Sequence, residues 1–229
     1  KSSVIVNRYC SGFCPFFQTI DYICLDIGLY NLSFGLLVKE IIITNFEGVY
    51  EPAEDSWLIS RHIPKSEGNA LEIGSGTGIL SIHLAKRGHQ VTAIDLNPKA
   101  VEATKFNAKN NKVNIEILEG NMFNPVKNRK FDVIVCNPPY LPPADDYDDP
   151  ELALAVEGGP GGSEFTIKFL TQAKNYVNPS GSIYMILSSR MKDFKVDWER
   201  NIIKQEKYFF EIHSKNLRQW SKCLSGSGE

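Results

Sequence analysis

The chain has almost no excess of either charge: 25 basic residues stand against 27 acidic ones, a net charge of −2 over 229 residues. Attraction to nucleic acid or an anionic membrane through the overall field needs a basic surplus, so any such contact must come from a local patch. Long uncharged apolar runs are also missing. The most apolar long window, residues 20–38 (IDYICLDIGLYNLSFGLLV), contains Asp21, Asp26 and two glycines, which a membrane span tolerates poorly, and it reads as core or interface sequence. No charged leader runs into a small-residue cleavage site, which predicts a cytoplasmic protein. The five cysteines are odd in number and irregular in spacing, which predicts reduced thiols rather than a disulfide framework. Cys10, Cys14 and Cys24 follow C-x3-C-x9-C, without the paired C-x2-C knuckle or an obvious fourth ligand of a zinc site, so no metal is predicted. Neither an internal repeat nor a low-complexity linker is found.

What is present is the balance of a globular protein with one sizeable core, 42% hydrophobic and 23% charged. From Asn69 onward, short apolar runs alternate with helical patterns, the signature of βαβ units around a mostly parallel sheet. Strands are predicted at 69–74, 90–95, 114–120, 131–137 and 181–188, with closing strands at 208–213 and 218–223. Helices are predicted at 78–87, 97–110, 163–176 and 197–206, the second opened by Asn97 as cap and Pro98 in the first position. The fold class is α/β, with helices on both faces of the sheet. Residues 1–45, rich in Cys, Phe, Ile and Tyr without periodicity, form an atypical N-terminal segment, and residues 46–229 form the main domain.

The first strand runs into E-I-G-S-G-T-G (72–78), which sets Gly74, Gly76 and Gly78 at a strand-to-helix turn. In such folds ligands bind beyond the carboxyl ends of the strands, where glycine lets the backbone approach them closely. The next strand ends on Asp95, 21 residues after Gly74, where a carboxylate can take both hydroxyls of a ribose. An adenosine-containing cofactor follows. A dinucleotide fingerprint would need a third glycine three residues after Gly76, and Ile79 stands there. The observed G-x-G-x-G, preceded by acidic Glu72, resembles motif I of the class I S-adenosylmethionine methyltransferases, whose cofactor has a cationic amino-acid end and no pyrophosphate.

The second motif ends the strand FDVIVC (131–136) with Asn137-Pro138-Pro139-Tyr140. Two prolines fix two φ angles and push the preceding residues into extended geometry, so Asn137 is held stiffly at the end of a buried strand. This tetrapeptide resembles the signature of methyltransferases that act on planar nitrogens, exocyclic base amines or carboxamides. Such a nitrogen has its lone pair delocalised and must be held and polarised before it attacks. The Asn137 side-chain oxygen and the Pro138 carbonyl can accept its two N–H bonds, and Tyr140 can stack on its plane, with Pro139 completing the rigid substrate side.

With these motifs in place, the chain is similar to the HemK/PrmC family of protein glutamine methyltransferases, in its archaeal and eukaryotic branch. V-Y-E-P-A-E-D-S-W-L (49–58) is similar to that branch's segment preceding the first core helix, and A-V-E-G-G-P-G-G-S-E-F (155–165) to its glycine segment after the tetrapeptide. The resemblance spans residues 48–220. It implies a class I methyltransferase fold, Rossmann-like, with an antiparallel strand near its C-terminus. It also implies that Ser56 contacts S-adenosylmethionine, that Glu72 and Gly74 line its amino-acid end, that Asp95 holds its ribose and that Asn121 and Met122 flank its adenine. Asn137 would bind both cofactor and substrate amide. Asn121 departs from the family's acidic residue at the adenine. The implied substrate is the Gly-Gly-Gln loop of a class 1 release factor, and the implied partner is a small zinc-binding activator protein.

Two further substrates share this scaffold, an adenine N6 in DNA and a protein lysine. Between Tyr140 and Ile167 stand Asp145, Asp146, Asp148, Asp149, Glu151, Glu157 and Glu164, with no Lys or Arg. An acidic rim opposes DNA phosphates and suits a basic protein partner. A cofactor-fold scaffold without activity is the reading from another class.

Overall fold

The computed structural model describes residues 3–9, 41–143, 153, 155–196 and 199–201. The predicted strands at 208–213 and 218–223, and with them the antiparallel strand, lie outside the described residues, as do Cys10, Cys14, Cys24 and the acidic residues from Asp145 to Glu151. The elements are β1 (Ser3–Tyr9), α1 (Glu54–His62), β2 (Asn69–Ile73), α2 (Ile79–Lys86), β3 (Gln90–Asp95), α3 (Pro98–Asn110), β4 (Ile115–Glu119), β5 (Phe131–Cys136), α4 (Glu164–Ala173), β6 (Val177–Ser188) and β7 (Glu199–Asn201). One 3-10 turn, Asn124–Val126, precedes β5.

The strands form one seven-stranded sheet in the order β4-β3-β2-β5-β6-β1-β7, and every described pairing is parallel. Central strands read as the sequence predicts: four of five residues of β2 and five of six of β5 are buried, whereas edge strand β4 has no buried residue. From β2 the chain winds outward through β3 to β4, then returns to start again at β5 on the other side. Right-handed crossovers taken in opposite directions put α2 and α3 on one face and α4 on the other. The order therefore reverses between β2 and β5, which opens a crevice beyond their carboxyl ends.

The cap at Asn97 is formed as expected, its side chain accepting from Lys99 N–H at 2.9 Å with Pro98 in the first turn. Two features differ from the sequence expectation. Of the helix expected at 197–206, the described residues Glu199–Asn201 are a strand, because their backbone pairs with Ser3–Ile5. Ser3–Tyr9 pairs along its length with Ser182–Ser188, so part of the N-terminal segment lies within the sheet. Neither long-range pairing leaves a local periodicity.

Before α1, the chain is fastened along α3. Asn107, fully buried, accepts from Thr44 N–H at 2.8 Å and donates to the carbonyls of Thr44 and Thr77 at 3.0 and 2.9 Å. Phe46 meets Phe106 edge to face with ring centroids 5.6 Å apart, and Asn97 Nδ2 donates to Gly48 O. These bonds carry Gly48, Val49 and Tyr50 across the mouth of the crevice. Asn107→Ala leaves the buried Thr77 carbonyl unpaired and gives up both bonds to the exposed Thr44 backbone, and is expected to lower stability by about 1–2 kcal/mol. Urea unfolding measures the loss, and faster hydrogen exchange at Thr44 shows that the strap has loosened.

Candidate active site

The turn after β2 bends through three glycines with left-handed backbone, Gly74 (φ 76°), Gly76 (φ 52°) and Gly78 (φ 84°). A side chain would strain all three positions. Gly74 and Ser75 donate to Ile94 O at 2.8 and 3.2 Å, which ties the turn to the end of β3. Asp95, last residue of β3, accepts from Gly76 N–H at 2.8 Å through Oδ2 and from Asn97 N–H at 2.9 Å through Oδ1. Each carboxylate oxygen so keeps a lone pair for a further donor, the geometry that two ribose hydroxyls require. Burial raises the Asp95 pKa above the ordinary carboxylate value, and backbone N–H groups at the turn oppose the shift.

Glu72 is buried at the end of β2, where its carboxylate accepts from the backbone N–H of Ser81 at 2.8 Å and from the Ser81 hydroxyl. Desolvation pushes its pKa up to about 8 against those two donors, with nearby Asp95 adding to the rise.

Across the crevice, β5 delivers Asn137 beside this turn, since Ile73 pairs with Cys136. Both proline peptides of Asn137-Pro138-Pro139 are trans. The Asn137 amide donates through Nδ2 to Asp55 Oδ2 at 2.9 Å, and its Oδ1 is buried with no hydrogen-bond partner among the described residues. Tyr140 is buried, its hydroxyl donating to the same Asp55 oxygen at 3.2 Å. The glycine segment braces this loop from behind: Tyr140 and Leu141 N–H both donate to Val156 O, and Gly158 N–H donates to Leu141 O at 2.8 Å. A Cβ at Gly158 would meet the Pro139 carbonyl at 2.6 Å and the Gly162 carbonyl, so only glycine fits. Glu164 closes the segment by accepting from Gly161 and Ser163 N–H.

A cavity of about 350 Å³ joins these parts. Of the residues expected at the site, Ser56, Glu72, Gly74, Gly76, Asp95, Asn121, Met122, Asn137, Pro138, Pro139 and Tyr140 all line it. Gly78 does not. It stands against Thr104 of α3, where a Cβ would come within 2.9 Å of Thr104 Cγ2, so it serves helix packing. Of the acidic rim, Glu157 lines the cavity, as does Lys168, one residue beyond the window that has no cation. Sequence reasoning passed over Tyr50 and Asp55, because V-Y-E-P-A-E-D-S carries no chemical motif. The residue of most consequence among them is Asp55, 1% exposed in the first turn of α1.

Residues 41–150 match the family model of the methyltransferase small domain. A Methanocaldococcus jannaschii protein provisionally named a protein N5-glutamine methyltransferase is 43% identical over 144 residues, which cover 62% of this chain and 73% of that one. The chain belongs to the HemK/PrmC family of protein glutamine methyltransferases. Methyltransferase HEMK2 of Homo sapiens is 31% identical over 156 residues, covering 62% of this chain and 72% of its own. A release factor glutamine methyltransferase of Geobacter sulfurreducens is 34% identical over 119 residues, which cover 48% of this chain and 42% of that relative. The HemK/PrmC-family chain thus spans about three quarters of the archaeal and human relatives and less than half of the bacterial one. Among the described residues no helix is long and apolar enough to cross a membrane.

For this HemK/PrmC-family protein, the brace predicts that Gly158→Ala lowers stability by about 1–3 kcal/mol, seen as a lower urea midpoint. Gly161→Ala, whose Cβ would meet only the side chains of Glu164 and Lys192, costs less. The Glu72 environment predicts a pH effect on stability. A carboxyl raised in the fold contributes fully below its unfolded value of 4.5 and loses that contribution as pH rises through about 8. The unfolding temperature of the ligand-free protein should therefore fall across this window, by no more than about 1.4 kcal/mol of stability per pH unit. In Glu72→Gln the slope should flatten.

Proposed function

We propose that the chain transfers a methyl group from S-adenosylmethionine to the side-chain nitrogen of the glutamine in the Gly-Gly-Gln loop of a class 1 peptide chain release factor. The reading rests above all on Asn137 Oδ1, a buried acceptor without a partner among the described residues, at the end of a proline-stiffened strand. An orphaned buried acceptor is costly unless a ligand satisfies it. A carboxamide NH2 is a ligand of the right kind. The names of the archaeal and bacterial relatives support the same substrate class.

The donor set fits the cofactor. Asp95 would hold the ribose hydroxyls, Glu72 and Gly74 would line the amino-acid end, Ser56 would contact it from α1, and Asn121 and Met122 would flank the adenine. When bound, S-adenosylmethionine supplies an electrophilic methyl group on a sulfonium. Asn137 Oδ1 and the Pro138 carbonyl would accept the two N–H bonds of the substrate amide and aim its nitrogen at that methyl. As the N–C bond formed and the C–S bond broke, positive charge would grow on nitrogen, and both acceptors would stabilise it most at that moment. The N–H proton, acidified by that charge, leaves to solvent. Tyr140 and Pro139 would hold the amide plane. This role places the protein in the cytoplasm, in translation termination. The exposed side chains of Ile42 and Phe106 are apolar surface that a small zinc-binding activator would cover.

The test is a methylation assay, run with and without an activator, on a release factor, its Gln→Ala version, a histone tail and single-stranded DNA. Transfer is expected to the release factor and not to its Gln→Ala version, and transfer to DNA alone would overturn the substrate. Asn137→Ala should bind cofactor within severalfold of the parent by calorimetry and lose about 100-fold or more in transfer. Full activity in that variant would refute the polarisation step.

A further inference from the structure

We infer that Asp55 is the residue that sets which way the Asn137 amide points, and so whether the site offers the substrate nitrogen an acceptor or a donor. This role rests on the reading above, for which Asp55 is a positioning residue rather than a catalytic one.

Asp55 Oδ2 accepts from Asn137 Nδ2 at 2.9 Å, from Tyr140 OH at 3.2 Å and from Tyr50 OH at 3.1 Å, while Oδ1 accepts from Ser56 N–H at 2.6 Å. Among the described residues no cation is paired with it. A carboxylate 1% exposed and without a counter-charge is expensive to keep, and three hydroxyl or amide donors on one oxygen, together with the N-terminal turn of α1, are what make it tolerable. Two of those donors are Asn137 and Tyr140, from the Asn-Pro-Pro-Tyr motif, more than 80 residues away in sequence.

The two ends of an asparagine amide are almost the same size, so packing alone cannot tell them apart. A half-turn of Asn137 would direct Oδ1 at the Asp55 carboxylate, acceptor against acceptor, and put NH2 where Oδ1 now stands, donor against the incoming NH2. A carboxylate behind the amide forbids that half-turn, since it can only accept. It also polarises the amide, drawing negative charge toward Oδ1 in the sense that favours positive charge on the substrate nitrogen. The segment V-Y-E-P-A-E-D-S and the tetrapeptide are thereby two halves of one device.

The decisive experiment exploits a symmetric side chain. Asp55→Asn cannot accept from both Ser56 N–H and Asn137 Nδ2, and is expected to lose about 100-fold in the methyl-transfer rate to the release factor, with cofactor binding and KM within about threefold. Asn137→Asp alone, which sets two carboxylates in contact, should be as damaged. Combined, Asp55→Asn with Asn137→Asp should recover about tenfold over either single variant, because a carboxylate at 137 offers an acceptor whichever way it turns. Losses that simply multiply would overturn the inference.

A second arm needs no substrate. In 15N NMR spectra of the ligand-free protein, the Asn137 side-chain amide is identified by its disappearance in Asn137→Ala. Its solvent exchange should accelerate about tenfold or more in Asp55→Ala, or in Asp55→Asn if the alanine variant does not fold. Exchange within about threefold of the parent would overturn the role of Asp55. If the parent transfers no methyl to the release factor, the substrate assignment falls, and the exchange measurement still decides for or against Asp55.

Discussion

The pairing of β2 with β5 is the constraint on which the site depends. Ile73 lies opposite Cys136, so the residues that follow, Gly74 and Asn137, emerge side by side from strands that are more than 60 residues apart in sequence. Because both strands run in the same direction and the connections leave them on opposite sides, the described residues leave a cavity beyond their ends. One wall of that space is the glycine turn with Asp95, and the other is the proline-stiffened loop. A one-residue slip of β5 against β2 would turn the Asn137 side chain away to the opposite face of the sheet.

Around this pairing, rigidity is supplied from outside the sheet. Asn107 holds Thr44 against α3, as Asn111 holds Ile42, and reaches the turn through Thr77 O. Ser75 and Thr104 share a hydrogen bond at 2.9 Å, and the Thr104 hydroxyl also donates to Gly76 O at 3.0 Å. The turn that faces the cofactor is thus fixed by helix α3 behind it. Phe123, stacked on Phe169 and Tyr176 with centroids 5.5 and 4.5 Å apart, joins the chain ahead of β5 to α4 and its carboxyl end. The strand that carries Asn137 is packed in on that side too.

Much of this was legible in the sequence, for reasons that differ residue by residue. Strands β2, β3 and β5 are buried on both faces and so read as continuous apolar runs, and α3 announces itself through Asn97-Pro98. Motif I and Asn-Pro-Pro-Tyr are legible because their geometry needs glycine and proline, the residues with the strongest backbone restrictions. Asp55 was not legible, because an acidic residue in a first helical turn is the commonest of helix signals and its partners come from 82 and 85 residues downstream. The spacing of three glycines points to Gly78 as a cofactor residue, and the structure sets it outside the cavity lining, where a φ of 84° and the approach of Thr104 both require glycine. Residues 197–206 have the charge pattern of a helix, and only the presence of β1 makes Glu199–Asn201 a strand.

The glycine brace has a consequence for transplanting this chemistry. The loop from Asn137 to Leu141 is held by the carbonyl of Val156 and by the backbone of Gly158 and Gly162 pressed against its own carbonyls. A host sheet given Asn-Pro-Pro-Tyr alone would acquire the side chains without the scaffold that aims them. The smallest portable unit is the strand end, the glycine segment and the helix start that carries Asp55, three pieces of chain that must move together.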